Sequence, residues 1–250
     1  MFSRVFAGEL PEGAAKGFKA RMEAWRAMTD EQKAVERERI NQLEKAQREA
    51  EADLREKARR DRLRALSGIG SRFAGALLTD LDWEGNEPAR TAAMQALSTR
   101  AGWFFGPVGA GKTHIAAAII ADAINHDREA MLISGLAMLS RIKSSYDDAG
   151  IVKPECVDVV GRLSRAPILA LDDLGKERFT PWAAEQFMLL VDARYRAKLP
   201  LLVTSNFAPR ELERHWCAQG MDVAYGPALV RRIVSMTGSP VQVHPRRGAA

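Results

Sequence analysis

The run Gly106-Pro107-Val108-Gly109-Ala110-Gly111-Lys112-Thr113 constrains this chain more than any other eight residues. It fits G-x-x-x-x-G-K-[ST] and lies between an apolar run, Trp103-Phe104-Phe105, and a helix-favouring stretch from Lys112 to Asn125. A strand before and a helix after are the context this loop requires. Its glycines let the backbone wrap closely enough for N–H groups to reach phosphate oxygens. Lys112 is placed to neutralise the β- and γ-phosphates of a nucleotide, and Thr113 to offer its hydroxyl to Mg2+. A chance match in a glycine-rich turn would leave the agreement of strand, helix and spacing unexplained. His114, next in line, reads as a packing or polar residue of the helix face.

Beyond the loop, short apolar runs alternate with helical stretches, which predicts an α/β fold with a parallel sheet and crossover helices. Strands are expected at 103–105, 130–133, 167–171, 200–204 and 241–243. Helices are expected over 112–125, from the second strand to about Tyr146, and over 181–197, 210–219 and 227–236. Asp172-Asp173 closes the third strand, and the carboxyl ends of parallel strands face the ligand crevice in such sheets. Asp172 would then hold Mg2+ through water, while Asp173 would orient or activate an attacking water. The plainer reading makes both carboxylates helix caps. Thr204-Ser205-Asn206 ends the fourth strand; Asn206 is either a γ-phosphate or water ligand or ordinary turn chemistry. Arg231-Arg232 is either surface charge or a guanidinium that enters a neighbouring subunit's site.

The first part of the chain is of another kind. From Glu31 to Leu66 it is dense in Glu, Arg, Lys and Ala, without Gly or Pro, and such residues favour helix. Ile40, Leu43, Ala46, Ala50, Leu54 and Ala58 form a narrow apolar stripe, read as a solvated helix or as a docking helix. Ser67-Gly68-Ile69-Gly70 ends it. The expected organisation is a charged helical segment (1–66), a connector (67–100) and an ATPase domain (101–250). Hydrophobic residues make up 46% of the chain and charged residues 28%, with a net charge of +5, a modest bias toward polyanions. No run approaches the roughly 20 apolar residues of a membrane span, and no signal peptide is visible, so the expected location is the cytoplasm. Cys156 and Cys217 are read as free thiols.

Several runs together carry a resemblance. Gly106 to Ala116, Arg165-Ala166-Pro167 into Leu171-Asp172-Asp173-Leu174-Gly175, Val191-Asp192 with Arg194-Tyr195, and Leu199-Pro200 into Val203-Thr204-Ser205-Asn206 resemble the DnaC/DnaI-type helicase loaders. IstB, the ATPase of insertion-sequence transposition, belongs to the same AAA+ group. The likeness covers about residues 67–245, and Ser67 to Phe73 resembles the loader-type lead-in. It implies an AAA+ P-loop sheet flanked by helices, with ATP and Mg2+ as cofactors. It also implies that Lys112 and Thr113 serve as Walker A, Asp172 and Asp173 as Walker B, Asn206 as sensor 1 and Arg232 as the arginine finger, with Arg231 the adjacent alternative. A sensor-2 arginine would fall near Arg246 or Arg247. Lys143, Tyr146, Thr180 and Trp182 occupy positions that contact single-stranded DNA in such loaders. Two departures stand out: Asp173 where many AAA+ proteins have Glu, and Ala228 where the finger helix often has a second Arg.

The resemblance implies a loader that docks on the replicative hexameric helicase through its N-terminal segment, oligomerises with ATP, holds single-stranded DNA and uses hydrolysis for release. An IstB-like ATPase that recruits a transposase to DNA shares nearly all these motifs. The short Asp173 admits a third reading, a nucleotide-gated adaptor with scarcely any turnover.

Overall fold

Five parallel strands in the order β2-β3-β4-β1-β5 form the centre of the fold: β1 (Gly102–Phe105), β2 (Ala130–Ser134), β3 (Ile168–Leu174), β4 (Leu201–Ser205) and β5 (Val241–Gln242). The computed structural model describes residues 23–145, 158–220 and 225–245, so Tyr146, Cys156, Arg246 and Arg247 lie outside the described residues. Parallel strands need crossovers. These are α3 (Lys112–Asn125), α4 (Gly135–Ser144), α5 (Val159–Arg165), α6 (Pro181–Arg196), α7 (Pro209–Ala218) and α8 (Gly226–Thr237), preceded by α1 (Asp30–Leu66) and α2 (Glu87–Thr99).

Side chains alternate across a strand, so consecutive residues feed opposite cores. Trp103, Leu169, Leu171, Leu201 and Val203 enter one core, shared with Met138, Phe179, Phe187, Leu190, Trp216 and Ile233 from the helices on that face. Phe104, Ile168, Ala170 and Leu202 enter the other, against Ile115, Ile119 and Ile120 of α3 and Ala89, Ala93 and Ala96 of α2. Both faces are covered, as the unbroken apolar runs of β3 and β4 require. Helix α2 falls within the stretch read as a connector. Asn86-Glu87-Pro88 looks like a turn, but Pro in the first turn of a helix lacks only a donor that would be unpaired there. The buried Asn86 amide donates to the His244 carbonyl (3.1 Å) and accepts from His244 N (2.8 Å), which ties the start of α2 to the end of β5.

The chain divides into two compact units, Met1–Lys57 and Ala58–Ala250. Helix α1 begins at a reciprocal cap between Thr29 and Gln32. None of its side chains is buried. Its charges pair along the helix, as in Arg48–Glu44 and Arg55–Glu51, while Leu43 and Leu54 of the apolar stripe stand 55% and 68% exposed. Within the second unit, the Arg64 guanidinium donates to Asn125 Oδ1 (2.8 Å), and Leu63 packs on the second core. The chain then turns at Ser67, whose carbonyl accepts from Leu132 N of the edge strand β2 (2.6 Å). Gly68 is required there: its φ is +77°, and a Cβ would fall 2.3 Å from the Leu132 carbonyl oxygen.

His114 has the helix-face role expected of it, hydrogen-bonded to the Leu77 carbonyl at 2.9 Å with the Phe73 ring edge-on to it. Cys217 is half-buried on α7. Among the described residues no helix is long and apolar enough to cross a membrane.

Candidate nucleotide site

The carboxyl ends of β1, β3 and β4 lie side by side, with Phe105 opposite Ser205, and Leu171 opposite Val203. The chain leaves β1 into the glycine-rich loop, leaves β3 through Asp172-Asp173 and leaves β4 through Asn206. Two glycines shape the loop. Gly106 has φ +146°, and a Cβ there would strike the Val243 carbonyl oxygen at 2.2 Å; Gly111 starts α3 with φ +91° beneath Leu81.

The Lys112 ammonium folds back into this loop and donates to the carbonyls of Gly106 (2.9 Å) and Pro107 (2.8 Å) and to Asn206 Oδ1 (3.0 Å). Burial holds its pKa below the usual lysine range, against the upward pull of Asp173. A desolvated cation beside a rim of backbone N–H groups is arranged for polyphosphate oxygens. Thr113 Oγ1 donates toward the Asp172 carboxylate at 3.0 and 3.2 Å, and Thr204 Oγ1 donates to Asp172 Oδ1 at 2.5 Å. Burial raises the Asp172 pKa, opposed by those two hydroxyls. A buried carboxylate with only hydroxyl donors and an adjacent threonine is a hard-oxygen set. It fits Mg2+, which takes one or two protein oxygens, substrate phosphates and water.

Asp173 sits at a register shift between Leu171 and Leu174, with φ +56°. Asp is among the few side chains enriched in that region. Its N–H donates to Thr204 Oγ1 (2.8 Å), and Lys176 Nζ pairs with its Oδ2 (2.7 Å). Neither aspartate caps a helix; both belong to β3. Lys112, Thr113, Asp172, Asp173 and Asn206 are therefore brought together. Arg232 stands apart on α8, in an ion pair with Asp192 of α6 at 2.8 Å. Lys143 and Trp182 do meet, the ammonium 5.2 Å from the ring centroid, while Thr180 caps α6 by accepting from Ala183 N (3.2 Å).

Three neighbours were not singled out from sequence: Thr204, Lys176 and Glu177. Thr204 bridges Asp172 and the Asp173 backbone across 31 and 32 residues of chain, which local patterning does not report. Glu177 is 1% exposed, and its carboxylate accepts from Gly175 N (3.0 Å) and Trp216 Nε1 (3.0 Å). Burial pushes its pKa up, so the folded state gives up its proton later than the unfolded chain does. Stability from this group is full at acid pH and falls as pH rises through the folded-state value. Glu177→Gln keeps an acceptor and removes the buried charge. It should raise Tm by about 2–4 °C at pH 8 and by less at pH 5, read by thermal unfolding at both values.

A parallel sheet of order β2-β3-β4-β1-β5 with a phosphate loop after β1 and acidic residues ending β3 defines a P-loop ATPase domain of the AAA+ type. The chain belongs to the IstB-like ATP binding protein family, whose family model matches residues 17–243. It is 27% identical over 115 residues to the replicative helicase loader DnaI of Bacillus subtilis (strain 168). That alignment covers 46% of this chain and 35% of the relative, so the chain spans about a third of its length. Solved structures share the fold. A crystal structure of DnaI superposes with TM-score 0.58 at 19% identity, covering 71% of this chain and 96% of that one. The DnaC helicase loader gives 0.52 at 20% identity, covering 70% and 100%. The replication initiator DnaA bound to AMPPCP and single-stranded DNA gives 0.53 at 17% identity, covering 70% and 51%.

Proposed function

We propose that this chain is an ATP-operated loader of the replicative helicase. The observation that carries this reading is the similarity to the DnaI loader, and α1, a long charged helix that buries none of its side chains, suits a docking segment. Residues 1–66 form the docking segment, 67–100 the lead-in and 101–250 the ATPase domain.

In the ATPase cycle the loop Gly106–Thr113 wraps the phosphates and Lys112 exchanges its loop carbonyls for β- and γ-phosphate oxygens. Thr113 and Asp172 hold Mg2+, which when bound neutralises phosphate charge. Asn206 orients a water toward the γ-phosphorus. Asp173 accepts its proton as the new P–O bond forms and the bond to the β–γ bridging oxygen breaks, leaving ADP and orthophosphate. Asp is one methylene shorter than Glu, which fits slow, switch-like hydrolysis. Arg232 acts from a neighbouring subunit of an ATP-dependent homo-oligomer, after exchanging Asp192 for phosphate. Single-stranded DNA is held by Lys143, Tyr146, Thr180 and Trp182. Lys143 shifts from the Trp182 ring to a backbone phosphate and a base takes its place on the ring, a stack worth ~1–3 kcal/mol.

The test is co-elution of the full chain with its host's hexameric helicase, with and without ATP. A complex is expected, and Leu43→Glu with Leu54→Glu should abolish it without unfolding the chain, because both side chains are solvated. Failure of the wild type to co-elute would sink the loader reading. One observation favours a second reading: the IstB-like match begins at residue 17 and takes in the helical arm. A transposition ATPase would prefer long duplex DNA over single strands and form filaments on it.

A further inference from the structure

Asp173, the carboxylate assigned above to the attacking water, is already engaged. Lys176 Nζ lies 2.7 Å from its Oδ2, and among the described residues that ammonium pairs with Asp173 alone. The pair joins residues three apart in a turn rather than a helix. Asp173 carries the left-handed φ of +56°, and Lys176 N donates to the Asp173 carbonyl (3.3 Å). Both sides of the turn are fixed. Asp173 N is tied to Thr204 on β4, and the peptide groups of Gly175 are held by Glu177 on the N–H and His215 on the carbonyl (3.0 Å). A lysine tethered this way reaches Asp173 without ordering much further chain.

The pair also sits at the phosphate crevice: Asp173 directly follows Asp172, whose carboxylate accepts from Thr113 Oγ1 beside Lys112. The Lys176 ammonium is thus held at the site by Asp173, although its side chain is 48% exposed. A carboxylate oxygen occupied by an ammonium has one fewer position for an attacking water.

Resting on the assignment of Asp173 as the water-activating carboxylate, we infer that Lys176 is a built-in brake on hydrolysis: it occupies Asp173 between turnovers and must swing away before water is activated. Lys176 is a positioning residue, acting on the reaction only through Asp173. An exposed pair is opened by a modest free energy, so the brake lengthens the ATP-bound state without locking it.

The experiment compares the full-length wild type with Lys176→Met, Lys176→Arg and Asp173→Asn. Lys176→Met should raise kcat about fivefold, ~1 kcal/mol at 1.36 kcal/mol per tenfold, with KM for ATP within about twofold. Lys176→Arg keeps the ion pair and should turn over at the wild-type rate. In nucleotide-free protein, the Lys176 ammonium should give a proton-exchange-protected NMR signal that Asp173→Asn removes. An unchanged or lower kcat in Lys176→Met, or a KM raised about tenfold as for a phosphate ligand, overturns the brake while leaving Asp173 its role. Full turnover by Asp173→Asn overturns the assignment of Asp173 itself, and the brake with it.

Discussion

Lys112→Ala is expected to lose ATP-dependent stabilisation altogether and to lower kcat/KM at least about a hundredfold, a loss of roughly 3 kcal/mol of transition-state stabilisation. In the proposed cycle the ammonium is the cation that the loop supplies to the phosphates, and it sits 5% exposed, where a charge is weakly screened. The same burial makes the free protein indifferent to its loss. Desolvation already holds the Lys112 pKa down, and of its three acceptors the Pro107 carbonyl and Asn206 Oδ1 are only part-buried, so water can replace the ammonium there. The Tm of the nucleotide-free variant should therefore stay within a few degrees of wild type. Wild type at ~100 times its Kd for ATP gains ~2.7 kcal/mol, or about 5–10 °C for a domain of this size. A thermal-shift titration with ATP and Mg2+ reads both results at once. A variant that kept the ATP-induced shift would remove Lys112 from phosphate binding.

The order of strands and helices was legible because local rules are strong there. Lys112 to Asn125 has the apolar density of a buried helix, and Ile168 to Leu171 that of a strand covered on both faces. Helix α2 was hidden by its alanines: Ala89, Ala93 and Ala96 mark a core face only when α3 packs against it. Helix α5 is a seven-residue element and escaped for want of length. Within the site, the loop and the paired aspartates announce themselves, because their chemistry is local. What connects them does not. Thr204 reaches Asp172 across a strand pair, and Trp216 reaches Glu177 across 39 residues. The left-handed Asp173 follows from a register shift between β3 and β4, and register belongs to the sheet rather than to either strand.

The second large effect falls on stability, at a residue quoted only as part of a family motif. Arg194 on α6 is fully buried and donates to the carbonyls of Leu163 (2.8 Å), Ala166 (2.7 Å) and Pro200 (2.5 Å). Burial lowers its pKa to about 10, so it stays charged throughout the neutral range, neutralised by carbonyl dipoles alone. Those carbonyls end α5 and precede β3 and β4, so one guanidinium sets the starting points of the two strands that present Asp172, Asp173 and Asn206. Arg194→Met keeps the aliphatic stem but ends short of the guanidinium, and leaves the three acceptors unpaired in a dry core. The expected cost is ~3–5 kcal/mol, a fall in Tm of about 10 °C. Arg194→Lys should recover only part of it, since one ammonium cannot match the planar fork. Residual folded protein should also hydrolyse ATP more slowly than wild type, because the far ends of β3 and β4 carry Asp173 and Asn206, the pair proposed to activate water. Urea unfolding of both variants decides the matter: a loss below ~1 kcal/mol in Arg194→Met would mean that backbone pairing alone holds β3 and β4 in register.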